Sequence, residues 1–82
     1  METKLSLIPN PTNNVVVIKS EGTSTSDGNF ILKIVDLSGQ KVKELVVNEG
    51  SEISVIDLIP GLYLYSIVTT EGNSFHGKLL KY

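Results

Sequence analysis

The 82-residue sequence has no cysteine, no tryptophan and one histidine. Without cysteine there is no disulfide, no thiol catalysis and no thiolate metal site. The compartment stays open, because a protein in an oxidising space need not use disulfides. The lone His76 could hold zinc only with carboxylates gathered from elsewhere in the fold. No charge of one sign is massed anywhere. Seven Lys/Arg face nine Asp/Glu, for a net charge of −2, which argues against nucleic acid and against a polybasic membrane patch. No stretch approaches the roughly 18 apolar residues of a membrane helix. Residues 1–8 are too short and too polar for a signal peptide. The chain is therefore either cytoplasmic or a piece of a longer precursor whose export signal lies upstream. Residues 1–4 read as the end of a linker or an added start, and 5–82 as one domain.

A helical repeat is missing as well: no window of useful length carries a 3.6-residue period. Short β-rich segments separated by turn residues stand in its place. Lys4–Ile8 is an apolar stretch stopped by Pro9-Asn10-Pro11. Two prolines cannot continue a central strand, since each removes a ladder donor. An edge strand and a rigid corner are expected there. Val15-Val16-Val17-Ile18 is a β-branched run inside a strand of about residues 14–19. The polar stretch from Ser20 to Asn29 is a surface loop containing the turn pair Asp27-Gly28. In Phe30–Leu37 the residues Phe30, Leu32 and Ile34 share one face, and Ile31, Lys33 and Val35 the other. Asp36-x-x-Gly39 marks a hairpin with Gly39 as its left-handed residue. Lys41–Val47 returns antiparallel, and its phase slips between Val42 and Leu45, the mark of a bulge. Ile53–Leu58 reads as a strand of mixed alternation. Pro60-Gly61 then turns into the strongest strand signal of the chain, residues 62–69, where Tyr63 and Tyr65 share a face. Residues 75–82 form the last strand. Seven short strands at roughly 8–12-residue spacing predict an all-β sandwich or small barrel. The absence of a Cys…Trp…Cys pattern excludes an antibody-type domain.

Catalytic chemistry is hard to find. No nucleophile-elbow sequence accompanies the serines. Glu21, Asp27, Asp36, Glu44, Glu49, Glu52, Asp57 and Glu71 are scattered, with no pair spaced for acid/base work. Asp27-Gly28-Asn29 matches only a fragment of a calcium loop. Asp36 and Asp57 suit hydrogen bonds to nearby turn backbone. Tyr63 and Tyr65 could stack on a sugar or a base, but strand aromatics generally serve packing. Lys78 and Lys81 could be an electrostatic handle, or a charged strand end that keeps the sheet soluble.

Several signatures nevertheless stand in order: Leu7-Ile8-Pro9-Asn10-Pro11, then Ile34-Val35-Asp36-Leu37-Ser38-Gly39-Gln40-Lys41-Val42, then Ile56-Asp57-Leu58, then Pro60-Gly61-Leu62-Tyr63-Leu64-Tyr65, then Lys78-Leu79-Leu80-Lys81-Tyr82. Together they resemble the type A C-terminal sorting domain of the type IX (Por) secretion system of Bacteroidetes-type bacteria, over about residues 5–82. The resemblance implies a seven-stranded immunoglobulin-like β-sandwich. It implies a non-enzymatic sorting signal that carries an N-terminal cargo domain of the same precursor through the periplasm and the outer-membrane translocon to the cell surface. A sortase-like surface protease would then remove it, with no cofactor and no nucleic acid involved. The matching positions are Pro9, Asn10 and Pro11; Asp36 and Gly39; Gly61 and Tyr63; and the basic end Lys78, Leu79, Leu80, Lys81, Tyr82. This chain differs in a short link from Asp57 to Gly61 and in closing on Tyr82. Edge strands offer unpaired backbone to a partner, so the last strand and its basic end are the expected handle. The same edges could pair two copies of the domain. The rival reading is a fibronectin-like adhesion or carbohydrate-binding module using Tyr63 and Tyr65 or the 20–29 loop.

Overall fold

A computed structural model describes residues 4–21 and 29–82 of the chain. Among the described residues there are seven strands and no helix: β1 Lys4–Ile8, β2 Val15–Glu21, β3 Phe30–Val35, β4 Lys41–Val47, β5 Ile53–Ser54, β6 Gly61–Thr69 and β7 Ser74–Lys81. They form two sheets, β1-β2-β5 and β4-β3-β6-β7, with antiparallel pairing throughout. This is a β-sandwich. In the antibody constant arrangement the fourth strand joins the first sheet; here β4 pairs with β3 in the second.

The side-chain period of two explains the core. Phe30, Leu32 and Ile34 of β3 are fully buried, as are Val16 and Ile18 of β2, Ile67 of β6 and Leu79 of β7. Leu5 and Leu7 of β1 close the core from the facing sheet. The β-branched run of β2 is split by the pleat, with Val16 and Ile18 inside and Val15 exposed.

Two sequence expectations need refinement. The anticipated bulge in β4 falls at Val42: Ile34 pairs with Lys43 and Val35 with Lys41, which leaves Val42 without a partner. The expected strand at residues 53–58 is mostly turn. Strand pairing ends at Ser54, and Leu58 N–H donates back to the Val55 carbonyl at 3.0 Å. Val55 and Leu58 still reach the core, because a tight turn can drop its apolar side chains inward as a strand can. The Asp27-Gly28 turn and the calcium-loop fragment built on it fall outside the described residues.

Candidate functional site

Strand direction gathers the sequence motifs at one pole of the sandwich. β1 ends and β2 begins at the Pro9–Asn14 corner, β3 and β4 are joined by residues 36–40, β6 starts at Gly61, and β7 ends at Lys81. Val35 pairs with Leu64, and Gly61 with Lys81, so the hairpin and the last strand end side by side. The Lys43 ammonium lies 3.3 Å from the Asp57 carboxylate and ties β4 to the β5–β6 link. Asp57 thus holds a lysine rather than the turn backbone expected of it.

The corner and the last strand are bonded directly. The Asn10 side-chain N–H donates to the Lys78 carbonyl at 2.5 Å, while its amide oxygen accepts from Leu80 N–H at 3.0 Å. Asn10 therefore uses its side-chain amide as a short stand-in for a neighbouring strand. Thr12 continues the pattern with its backbone, donating to Leu80 O and accepting from Tyr82 N–H, both at 2.9 Å. Thr12 and Lys81 form an isolated parallel bridge, and Thr12 is 2% exposed. Its hydroxyl donates to the Val15 carbonyl at 2.8 Å, which fixes the exit into β2. Both peptide bonds preceding Pro9 and Pro11 are cis. The outer edge of β7 is consequently occupied along residues 78–82. The expectation of a free edge there is corrected: the Pro-Asn-Pro corner already fills it.

The remaining motif residues have distinct places. Asp36 organises its hairpin. Its carboxylate accepts from the Ser38 hydroxyl at 2.6 Å and from the N–H groups of Ser38 and Gln40 at 2.9 and 3.0 Å. Gly39 sits at φ 90°, a conformation that costs an L side chain dearly. The Ser38 hydroxyl, and then the Gln40 amide, hold the Asp36 carboxyl below its ordinary value of 3.8. A depressed folded-state value means stability that is present above the unfolded value and lost as pH falls through the folded one. The expected result is that Asp36→Asn flattens the decline of the melting temperature below about pH 4; an unchanged acid limb would contradict it. Gly61 opens β6.

Tyr63 and Tyr65 are both 7% exposed and belong to the core. The Tyr63 hydroxyl donates to the Ile59 carbonyl just upstream, as in the tyrosine corner of Greek-key sandwiches. Tyr65 spans the two sheets, and its hydroxyl accepts from Leu7 N–H of β1 at 3.4 Å. Gly77 is the β7 partner of Tyr65. A Cβ added there would lie 2.5 Å from the tyrosine oxygen and 2.6–2.7 Å from ring carbons. The missing side chain is thus what lets the ring pass over β7. Neither tyrosine can serve as an open stacking platform. Leu79 is fully buried and Lys81 is 6% exposed, whereas Lys78, Leu80 and Tyr82 are exposed. His76 is exposed on the outer face. Among the described residues, no three of His, Asp and Glu cluster as a metal site.

Comparison with protein families decides what this arrangement is. The family model described as secretion system C-terminal sorting domain matches residues 6–81. The chain belongs to that family, the sorting domain of type IX secretion. No curated protein matches it. Membership of this family makes the sorting domain a signal for type IX export, implying a cargo precursor and a destination at the cell surface or beyond it. The family is one of sorting signals rather than enzymes. To that picture the structure adds the geometry of the pole. A corner near the start of the sorting domain and a strand near its finish are one hydrogen-bonded unit, and sequence order alone keeps them about as far apart as the domain allows. The lysine pair of the basic end is also divided: Lys78 points outward to solvent while Lys81 is packed under the corner.

Proposed function

We propose that this sorting domain presents its cargo to the type IX translocon through the pole where the motifs meet, without catalysis and without a cofactor. The observation that carries the reading is the convergence of Asn10, Asp36, Gly39, Gly61, Tyr63 and the Lys78–Tyr82 segment at one end of a rigid sandwich. A receptor reading this end meets a defined shape instead of a loose tail. Pro9, Pro11, Asp36, Gly39, Gly61, Tyr63, Leu79 and Lys81 build that shape; Lys78, Leu80 and Tyr82 are the outward parts of the last strand available for contact. A sortase-like surface protease acts after transit, on the cargo side of the domain. The adhesion alternative loses its aromatic platform, since Tyr63 and Tyr65 are core residues.

The test is a fusion. Residues 5–82 appended to a periplasmic reporter should bring it to the surface of a type IX-competent bacterium, and leave it in the periplasm when the translocon is deleted. Surface display that ignores the translocon, or retention in the competent strain, would sink the reading.

A further inference from the structure

The outer face of β4-β3-β6-β7 is laid out in rows by the strand registers. One row runs Glu44, Lys33, Ser66, His76 across all four strands. The next row toward the motif pole is Lys41, Val35, Leu64, Lys78, and beyond it Leu62 faces Leu80. Direct pairing makes Val35, Leu64, Leu62 and Leu80 one contiguous apolar strip. Its three leucines are 39–43% exposed, and a shallow depression lined by Lys33, Val35, Leu64, Ser66 and His76 adjoins it. Scattered surface leucines need no explanation, but a joined strip of them marks a contact surface.

The charge on this face runs against the rest of the molecule. The chain carries nine carboxylates against seven lysines. These outer rows hold three lysines, Lys33, Lys41 and Lys78, and one glutamate. That glutamate, Glu44, is held 2.5 Å from Lys41 and faces Lys33 across the strands, so one carboxylate serves two of the three lysines, and Lys33 and Lys78 flank the leucines with positive charge in excess. A second copy stacked face to face would set this cationic rim against itself, with no spare carboxylate to meet it.

We propose that this strip is the docking face for a protein surface that is apolar at its centre and carboxylate-rich at its rim, supplied by the export machinery. The inference rests on the sorting reading above and adds the face and the chemistry of its partner. β1 starts from the opposite pole in the other sheet, so the strip faces away from the N-terminal segment and the cargo side.

The experiment uses the full-length domain fused to the reporter, in parent form and as two double variants. Lys33→Gln with Lys78→Glu removes the cationic rim without setting a carboxylate opposite Glu44. Leu64→Ser with Leu80→Ser removes the apolar centre. Both change exposed side chains, and melting curves confirm that each variant folds. The expected result is surface display reduced at least about tenfold in both variants, with Lys33→Arg plus Lys78→Arg exported like the parent. Normal export of the folded variants, with the parent exported, overturns the docking face and leaves the sorting reading intact. A parent that is not exported defeats the sorting reading, and this inference with it. Two further outcomes also overturn it: flotation of the parent with phosphatidylglycerol but not phosphatidylcholine vesicles, lost in the lysine variant, would make the partner a membrane, and a sedimenting dimer lost in the leucine variant would make it a second copy.

Discussion

Gly77→Ala will lower the melting temperature of the domain by about 10–20 °C, which is a large loss for one methyl group. The reason lies across the sheet. Tyr65 is buried, pairs with Gly77, and spans the sandwich to reach the Leu7 amide. A Cβ at residue 77 would sit within 2.5–2.7 Å of the hydroxyl and ring atoms. The ring has nowhere to go, with a packed core on one side and β1 at its tip. Overpacking of this kind costs about 1–3 kcal/mol, and a domain of this size has only about 4–12 kcal/mol in total. The double-mutant cycle locates the cause. In a Tyr65→Leu background no ring crosses β7, and Gly77→Ala should lose most of its cost. An equal cost in both backgrounds would assign the effect to backbone conformation instead of the tyrosine.

Removing residues 78–82 will abolish export and unfold the domain together. The deletion takes away Leu79, which is fully buried, four pairings with β6, both side-chain partners of Asn10 and both backbone partners of Thr12. Loss of the leucine alone costs about 2–5 kcal/mol. The truncation therefore cannot by itself distinguish a contact site from a structural strand. Asn10→Ala makes the distinction. It deletes two hydrogen bonds at an exposed position, at about 1–2 kcal/mol, and leaves β7 paired with β6. Hydrogen exchange of the Leu80 amide should quicken about tenfold while the core amides stay protected. Exchange at Leu80 that matches the parent would mean the corner does not hold the strand. Asn10→Asp should be worse than alanine, because it sets a carboxylate oxygen against the Lys78 carbonyl.

The all-β class and the core face of β3 were legible because alternation is a local signal. Phe30, Leu32 and Ile34 are two apart in sequence and share the interior, as their spacing demands. The bulge at Val42 was legible for the same reason: an added residue breaks the phase of two. Residues 53–58 misled because Ile53, Val55 and Leu58 are all buried, and apolar spacing does not record whether the backbone between them is strand or turn. The roles of Asn10 and Gly77 were not legible at all. Asn10 between two prolines looks like turn chemistry complete in itself, yet its partners are 68 and 70 residues away. Gly77 looks like a weak point in a strand until the opposite tyrosine is in view. Lys81 reads as a solvent charge by type, and only the corner above it explains its burial.

The separation between Asn10 and its partners also bears on synthesis. A chain emerging from the ribosome makes residues 9–12 early and must leave their polar groups to water until residues 78–82 appear. The clamp closes only when both are present, so a chain stopped short by truncation or by a nick before β7 keeps an open corner and an unsealed core. The folded pole is in effect a certificate that β7 has been made and docked, and a translocon that reads it would pass over molecules whose last strand is missing.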